Sequence, residues 1–294
     1  FPSLDFHSMQ RTSLATLVLL LSSSLWGLSW IPLKALSGRG MDGLLLIAIC
    51  YACMALVVLP WMWRNRGYLR NHSKALIGIF LAGGLANVCF NYAMIYGEVV
   101  RVMVLFYLLP VWGVLGGRFI LREPTNAWRW LGVGLAISGA FILLGGGDIL
   151  RTPPGWLDLS ALLAGIFFAA TIMLFRAVEA VPISIKLNML FIGCAVIAGL
   201  LLVADLGMPR ENMPVVSALA WTVVYALTWL LVANLGSQWA VTHLPAGRSA
   251  ILMIVELVAA VVSAILIGGE ALTPQVVIGG LLIVSATVIE IAQG

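Results

Sequence analysis

RVMVLFYLLPVWGVLGGRFILREPTNAWRWLGVGLAISGAF, residues 101–141, is written a second time as RSAILMIVELVAAVVSAILIGGEALTPQVVIGGLLIVSATV, residues 248–288. At a constant offset of 147, Arg101 falls on Arg248, Glu123 on Glu270, Gly132 on Gly279 and Ser138 on Ser285. The register continues upstream, where Asn87 falls on Asn234, Asn91 on Gln238 and Tyr92 on Trp239. Both copies are strongly apolar. Two related halves in a membrane are a common build of transporters, whose site lies between the halves.

Composition fixes the solvent. The chain has 294 residues, of which 62% are hydrophobic and only 10% charged; its mean hydropathy is +1.08. A water-soluble chain of this length cannot hide so much apolar surface, so lipid must surround it. The net charge is +4, but Lys and Arg sit at the ends of apolar runs and form no basic face, which excludes nucleic acid as a partner. Cys50, Cys53, Cys89 and Cys194 all fall inside apolar runs. The Cys50–Cys53 spacing has no second pair and no nearby His, so these are small buried thiols and no metal or cofactor is expected.

About 20 apolar residues cross the hydrocarbon. Ten such runs are expected: 14–34, 43–63, 75–97, 100–121, 128–146, 156–176, 185–204, 215–240, 248–268 and 274–292. Turn residues or charges separate them at Ser37–Gly40, Arg64–Gly67, Arg122–Pro124, Thr152–Gly155 and Met208–Arg210. Residues 1–8 read as a non-helical vector remnant ahead of a start at Met9. Residues 9–147 form the first five-span unit and residues 148–294 the second. Ten spans put both termini on one side. Of the 16 Lys and Arg, that side holds the majority, among them Arg64, Arg66, Arg118, Arg122 and Arg248. Lys34, Arg39, Arg101, Arg151 and Arg210 lie opposite. The bias predicts cytoplasmic termini. An odd number of spans per unit then inverts the second copy, so Glu123 ends a span at the cytoplasm and Glu270 ends its counterpart outside. Trp61, Trp63, Trp128, Trp130, Trp156 and Trp221 fall near span ends, where the aromatic belt belongs. Trp26, Trp30, Trp112, Trp229 and Trp239 lie deeper; they face lipid, pack between helices or line a cavity.

Several polar residues sit where lipid should forbid them. Asn87 and Asn91 are i, i+4 on the third span, and Asn234 and Gln238 repeat the pair on the eighth. Facing lipid would be costly, so all four should point into the bundle. They serve either as interhelical glue or as a lining for an amino-acid backbone, since an amide both donates and accepts. Glu256 is the one carboxylate deep inside a span. It binds a substrate amino group, carries a coupling proton, or is a buried structural group. Ser249, Ala260 and Ser263 share its face. Pro110 removes a backbone donor and frees the Phe106 carbonyl. It is a static kink or a gating hinge, and the freed carbonyl can face a cavity. Tyr107 and Met253 are candidates to contact an aromatic ring. His243 reads as a capping or solvated group, and Arg101 and Arg248 as snorkelling interface anchors.

These residues resemble the drug/metabolite transporter superfamily in its ten-span EamA-like branch. The pattern is Trp26-Gly27 followed by Lys34, then Tyr92-Ala93, Arg101, Leu108 to Pro110, and Arg122-Glu123; the second half repeats it as Trp239-Ala240, Gly247-Arg248 and Gly269-Glu270. The second copy departs from it by carrying Glu256-Leu257 where the first has Leu109-Pro110. Within the branch the chain is most similar to aromatic amino-acid exporters of the YddG type. The resemblance implies an all-α membrane fold of ten helices in two inverted repeats. It also implies export of amino acids, aromatic ones favoured, across a bacterial inner membrane by alternating access. Partners would be the small-molecule substrate and the bilayer, and the two fused halves imply a functional monomer.

Other classes fit less well. No Walker lysine loop is present, so the chain cannot itself drive pumping with nucleotide. No His-Glu-x-x-His, Gly-x-Ser-x-Gly or paired Asp is present, so intramembrane enzyme chemistry has no carrier. A passive facilitator differs only in lacking proton dependence, and a receptor or scaffold would bind without flux.

Overall fold

A computed structural model of the chain describes residues 3–119, 126–143, 155–204, 216–244 and 246–293. All regular structure among them is helical. The first half contains α1 (Ser3–Gly27), α2 (Trp30–Ser37), α3 (Gly43–Arg64), α4 (Gly67–Asn71), α5 (Ser73–Tyr96), α6 (Val99–Phe106), α7 (Leu109–Phe119) and α8 (Ala127–Leu143). The second contains α9 (Trp156–Ala177), α10 (Ile183–Val203), α11 (Val216–Tyr225), a π-helical turn (Ala226–Leu230), α12 (Leu231–His243), α13 (Ala246–Leu266) and α14 (Pro274–Gln293).

Six stretches are long and apolar enough to cross a membrane: Thr12–Ser37, Gly43–Arg64, Ser73–Tyr96, Trp156–Ala177, Ile183–Val203 and Val216–Val241. Ala127–Leu143, Leu252–Leu266 and Pro274–Ile289 are shorter apolar helices. The chain is therefore an all-helical, multi-pass membrane protein. These nine stretches fall on nine of the runs read from sequence, and the remaining run, 100–121, falls on α6 and α7. The six tryptophans assigned to the aromatic belt are all exposed, as interface residues should be.

Two elements depart from the sequence reading. Residues 3–8 are helical and belong to α1. Neither Pro nor Gly occurs between Ser3 and Trp26, so nothing stops the helix from propagating back from the apolar run. The first and fourth runs are each two helices. The first breaks at Leu28–Ser29, where Ser29 N–H turns back to the Trp26 carbonyl at 3.1 Å. The breaks expected at Arg122–Pro124 and Met208–Arg210, with Glu123, lie outside the described residues.

Lipid gives apolar helices little reason to associate, so close approach of small residues holds the bundle together. On α5 and α10, a Cβ on Gly84 would lie 2.6 Å from the Gly193 carbonyl carbon. On α1, a Cβ on Gly27 would collide with the Glu256 carbonyl of α13. On α8 and α14, a Cβ on Gly139 would lie 2.6 Å from the Gly279 carbonyl, and one on Gly132 3.5 Å from the Ala286 carbonyl. The last two contacts are reciprocal: adding 147 to 132 gives 279, and to 139 gives 286. Elsewhere α1 packs on α12 and α13 while α9 packs on α5, α6 and α7, a pairing that the same offset interchanges.

Candidate functional site

The fourth run breaks one turn before its proline. Tyr107 N–H closes a helical bond on the Met103 carbonyl at 2.9 Å, but Leu108 N–H tightens onto Leu105 at 3.3 Å and Val111 onto Leu108 at 3.0 Å. Residue 110 has no N–H to give, so the Phe106 carbonyl loses its ordinary helical donor. That carbonyl lies against α9. It faces the bare Gly165 of α9, where a Cβ would stand 3.0 Å away. The Trp112 indole nitrogen comes to the same glycine, 3.3 Å from that Cβ position, and has no hydrogen-bond partner among the described residues.

The break lets Tyr107 turn toward α13. Its hydroxyl donates to the Met253 carbonyl at 3.2 Å and lies beside the Glu256 side chain. Glu256 is 8% exposed, and Ala260 and Ser263 on its face are also buried. The structure thus brings Tyr107, Met253 and Glu256 together, beside the break that precedes Pro110. It adds residues that carried no signal in the sequence. Phe106 lies 4.6 Å from Phe90, 5.4 Å from Phe168 and 5.8 Å from Tyr107, centroid to centroid. Nothing in an apolar run distinguishes these rings from core until the break sets them side by side.

The first amide pair forms a second polar cluster. Tyr51 of α3 donates to Asn87 Oδ1 at 2.6 Å and accepts from Asn91 Nδ2 at 3.2 Å. The amides also bond their own helix, Asn87 to the Gly83 carbonyl and Asn91 to the Asn87 carbonyl, both at 2.8 Å. Asn91 is 1% exposed, and its Oδ1 has no partner among the described residues. The second pair is not equivalent. Asn234 bonds back to the Leu230 carbonyl at 2.9 Å, the last residue of the π-helical turn. Asn234 and Gln238 are half-buried. The position matching Tyr51 is Ala198, which has no hydroxyl to offer.

The two tryptophans of the first run divide. Trp26 is half-buried. Trp30 is buried, and its Nε1 donates to Ser263 Oγ at 2.9 Å, so it ties α2 to α13.

One end of the bundle carries the strong charge contacts. Glu270 accepts from the N–H groups of Val99 and Val100 at 2.7 and 3.0 Å, capping the start of α6 with the negative charge that a helix N-terminus favours. Lys34 reaches the Gly97 carbonyl at 2.7 Å and lies 3.9 Å from Glu270. Arg101 does not snorkel as expected. It forks onto Asp158 at 2.5 and 2.8 Å, because Asp158, in the first turn of α9, stands opposite the first turn of α6. Above this pair is a cavity of about 390 Å³ bordered by Tyr96, Glu98 and Trp156. His243 is exposed, its Nδ1 2.8 Å from the Trp239 carbonyl. The side chains of Pro110, Arg248 and Ser249 lie outside the described set.

Comparison with known proteins agrees with this architecture. Residues 13–145 match the EamA-like transporter family. One crystal structure of a protein, 16% identical, superposes with a TM-score of 0.57 over 94% of this chain and 96% of that one; at that identity the likeness is one of fold. No curated protein sequence matches.

Proposed function

We propose that this chain, whose residues 13–145 match the EamA-like transporter family, is a member of that family and exports amino acids, aromatic ones favoured, by alternating access. EamA-like proteins are secondary transporters and not enzymes, so the chemistry required here is recognition and movement. The observation that carries the reading is the broken fourth run, beside which Tyr107 meets the Met253 carbonyl and Glu256 while the adjoining Phe106 ring packs on those of Tyr107, Phe90 and Phe168. A carboxylate and a carbonyl suit an ammonium group. The neighbouring rings suit an aromatic side chain. A discontinuous helix at mid-bundle is a recurrent seat for substrate in such proteins. In this reading Glu256 takes the substrate ammonium or the coupling proton, Pro110 holds the hinge, and the Asn87–Asn91 and Asn234–Gln238 pairs with Trp26 flank the path.

The arrangement proposed is ten spans in two inverted halves, residues 9–147 and 148–294, with both termini in the cytoplasm of a bacterial inner membrane. The reciprocal contacts of Gly132 with Ala286 and Gly139 with Gly279 support it, since an isologous contact is the signature of a two-fold axis. Each chain supplies both halves, so a monomer suffices.

Labelled tryptophan and threonine should be followed into proteoliposomes of the purified protein, with and without a pH gradient. The expected result is saturable tryptophan flux, competed by phenylalanine and accelerated by the gradient. Glu256→Gln should abolish the acceleration. Binding without flux of either amino acid would overturn the assignment.

A further inference from the structure

The first and eighth runs are irregular where they face each other, and they leave a groove between them. α1 ends at Gly27 and α2 restarts at Trp30, opposite the π-helical turn Ala226–Leu230. A helix that shifts its axis and a helix that carries an extra residue in one turn cannot interdigitate along their whole length. The space left has about 440 Å³ and runs between α2 and α11, from Arg39 and Trp221 past Ala35, Leu36 and Val224 to Trp229. That is the size of a small-ligand pocket.

Its surface is apolar because its polar atoms are already engaged elsewhere. Trp229 Nε1 donates to the Leu25 carbonyl at 2.8 Å and the Tyr225 hydroxyl to the Ser29 carbonyl at 3.3 Å, both at the α1–α2 break. Thr228 Oγ1 bonds back to the Val224 carbonyl at 2.7 Å. The floor at Leu36 and Tyr225 is buried, whereas Trp221 and Val224 are exposed, so the groove opens sideways to the hydrocarbon. At its mouth stands Arg39, exposed and without an ion pair among the described residues.

We propose that this groove binds a phospholipid, one acyl chain lying between α2 and α11 and the phosphate resting on Arg39. A guanidinium fork matches a phosphate in charge and geometry. Trp221, at the same level as Arg39, belongs among headgroups. A zwitterionic amino acid does not suit the groove, which offers its two charges no anion and only one cation. The site is independent of the substrate path through Tyr107 and Glu256.

The purified full-length protein, titrated with phosphatidylglycerol or phosphatidylcholine in mild detergent, should be weighed intact by native mass spectrometry. One retained lipid is expected, with phosphatidylglycerol preferred. Arg39→Gln should lower phosphatidylglycerol retention about fivefold, the worth of one basic residue near an anionic surface, and remove the preference. Ala35→Trp, or Val224→Trp on the opposite wall, should displace both lipids by filling the groove. Monodisperse elution identifies variants that are folded. Retention at the parent level in Arg39→Gln, or in both groove-filling variants, overturns the proposal, as does equal retention of the two lipids by the parent.

Discussion

The hydroxyl of Tyr107 has two neighbours across a helix interface, the Met253 carbonyl and the Glu256 side chain. Tyr107→Phe keeps the ring and removes only that contact. Tryptophan flux should fall about threefold to tenfold, since a hydrogen bond to a neutral acceptor is worth roughly 0.5–1.5 kcal/mol, while the amount of folded protein stays at the parent level. Tyr51 makes the opposite prediction. Its hydroxyl holds Asn87 and Asn91, and Tyr51→Phe should lower thermal stability in detergent by about 0.6–2 kcal/mol, the range for interhelical hydrogen bonds in membranes. The amides were legible in the sequence because a polar side chain in an apolar run is expensive. Tyr51 was not, because a tyrosine in such a run reads as core. Glu256 was legible for the same reason as the amides, but its partner required the turn of Tyr107 toward α13, which no residue spacing specifies.

Helices of this protein meet through missing side chains, and the effect of a methyl group depends on which glycine receives it. Gly193 and Gly199 lie on the same helix, α10. A Cβ on Gly193 would collide with the Phe80 carbonyl of α5, whereas nothing lies within 4 Å of one on Gly199. Gly193→Ala should therefore force α5 and α10 apart and destabilise the protein by about 1–3 kcal/mol, as overpacking does. Gly199→Ala should be neutral or stabilising, since alanine is the better helix former; melting curves of the pair decide it. The extents of nine of the ten runs were legible from hydropathy alone. The locations of the first break and of the π-helical turn were not, because each depends on a partner, whereas Pro110 marks the fourth run's kink in the sequence itself. The first break leaves carbonyls that Trp229 and Tyr225 satisfy, and those residues lie some two hundred positions downstream in sequence.

At the scale of the whole molecule, contacts separate by connection. Lys34, Gly97 to Arg101, Asp158 and Glu270 meet at one end, and all belong to the side that the Lys and Arg bias assigns to the exterior. The exposed positions Glu98 and Arg66 lie on opposite assigned sides. Glu98→Cys should react with an impermeant maleimide in intact cells, and Arg66→Cys only after permeabilisation. Reversal of that pattern would invert the proposed orientation. The halves are related but not interchangeable. Breaks occur in the first and fourth runs, while their counterparts α9 and α13 run unbroken. Each interrupted helix of one half thus lies on a continuous helix of the other, α1 on α13 and α6 and α7 on α9. Glu270 adds a consequence for biogenesis. It caps α6 from 171 residues downstream, so the ribosome finishes the fourth run long before the group that satisfies its first amides exists. During synthesis those amides must be held by water, headgroups or the insertion machinery. The first half therefore leaves the ribosome as an unfinished piece, completed only when the last hairpin of the second half arrives.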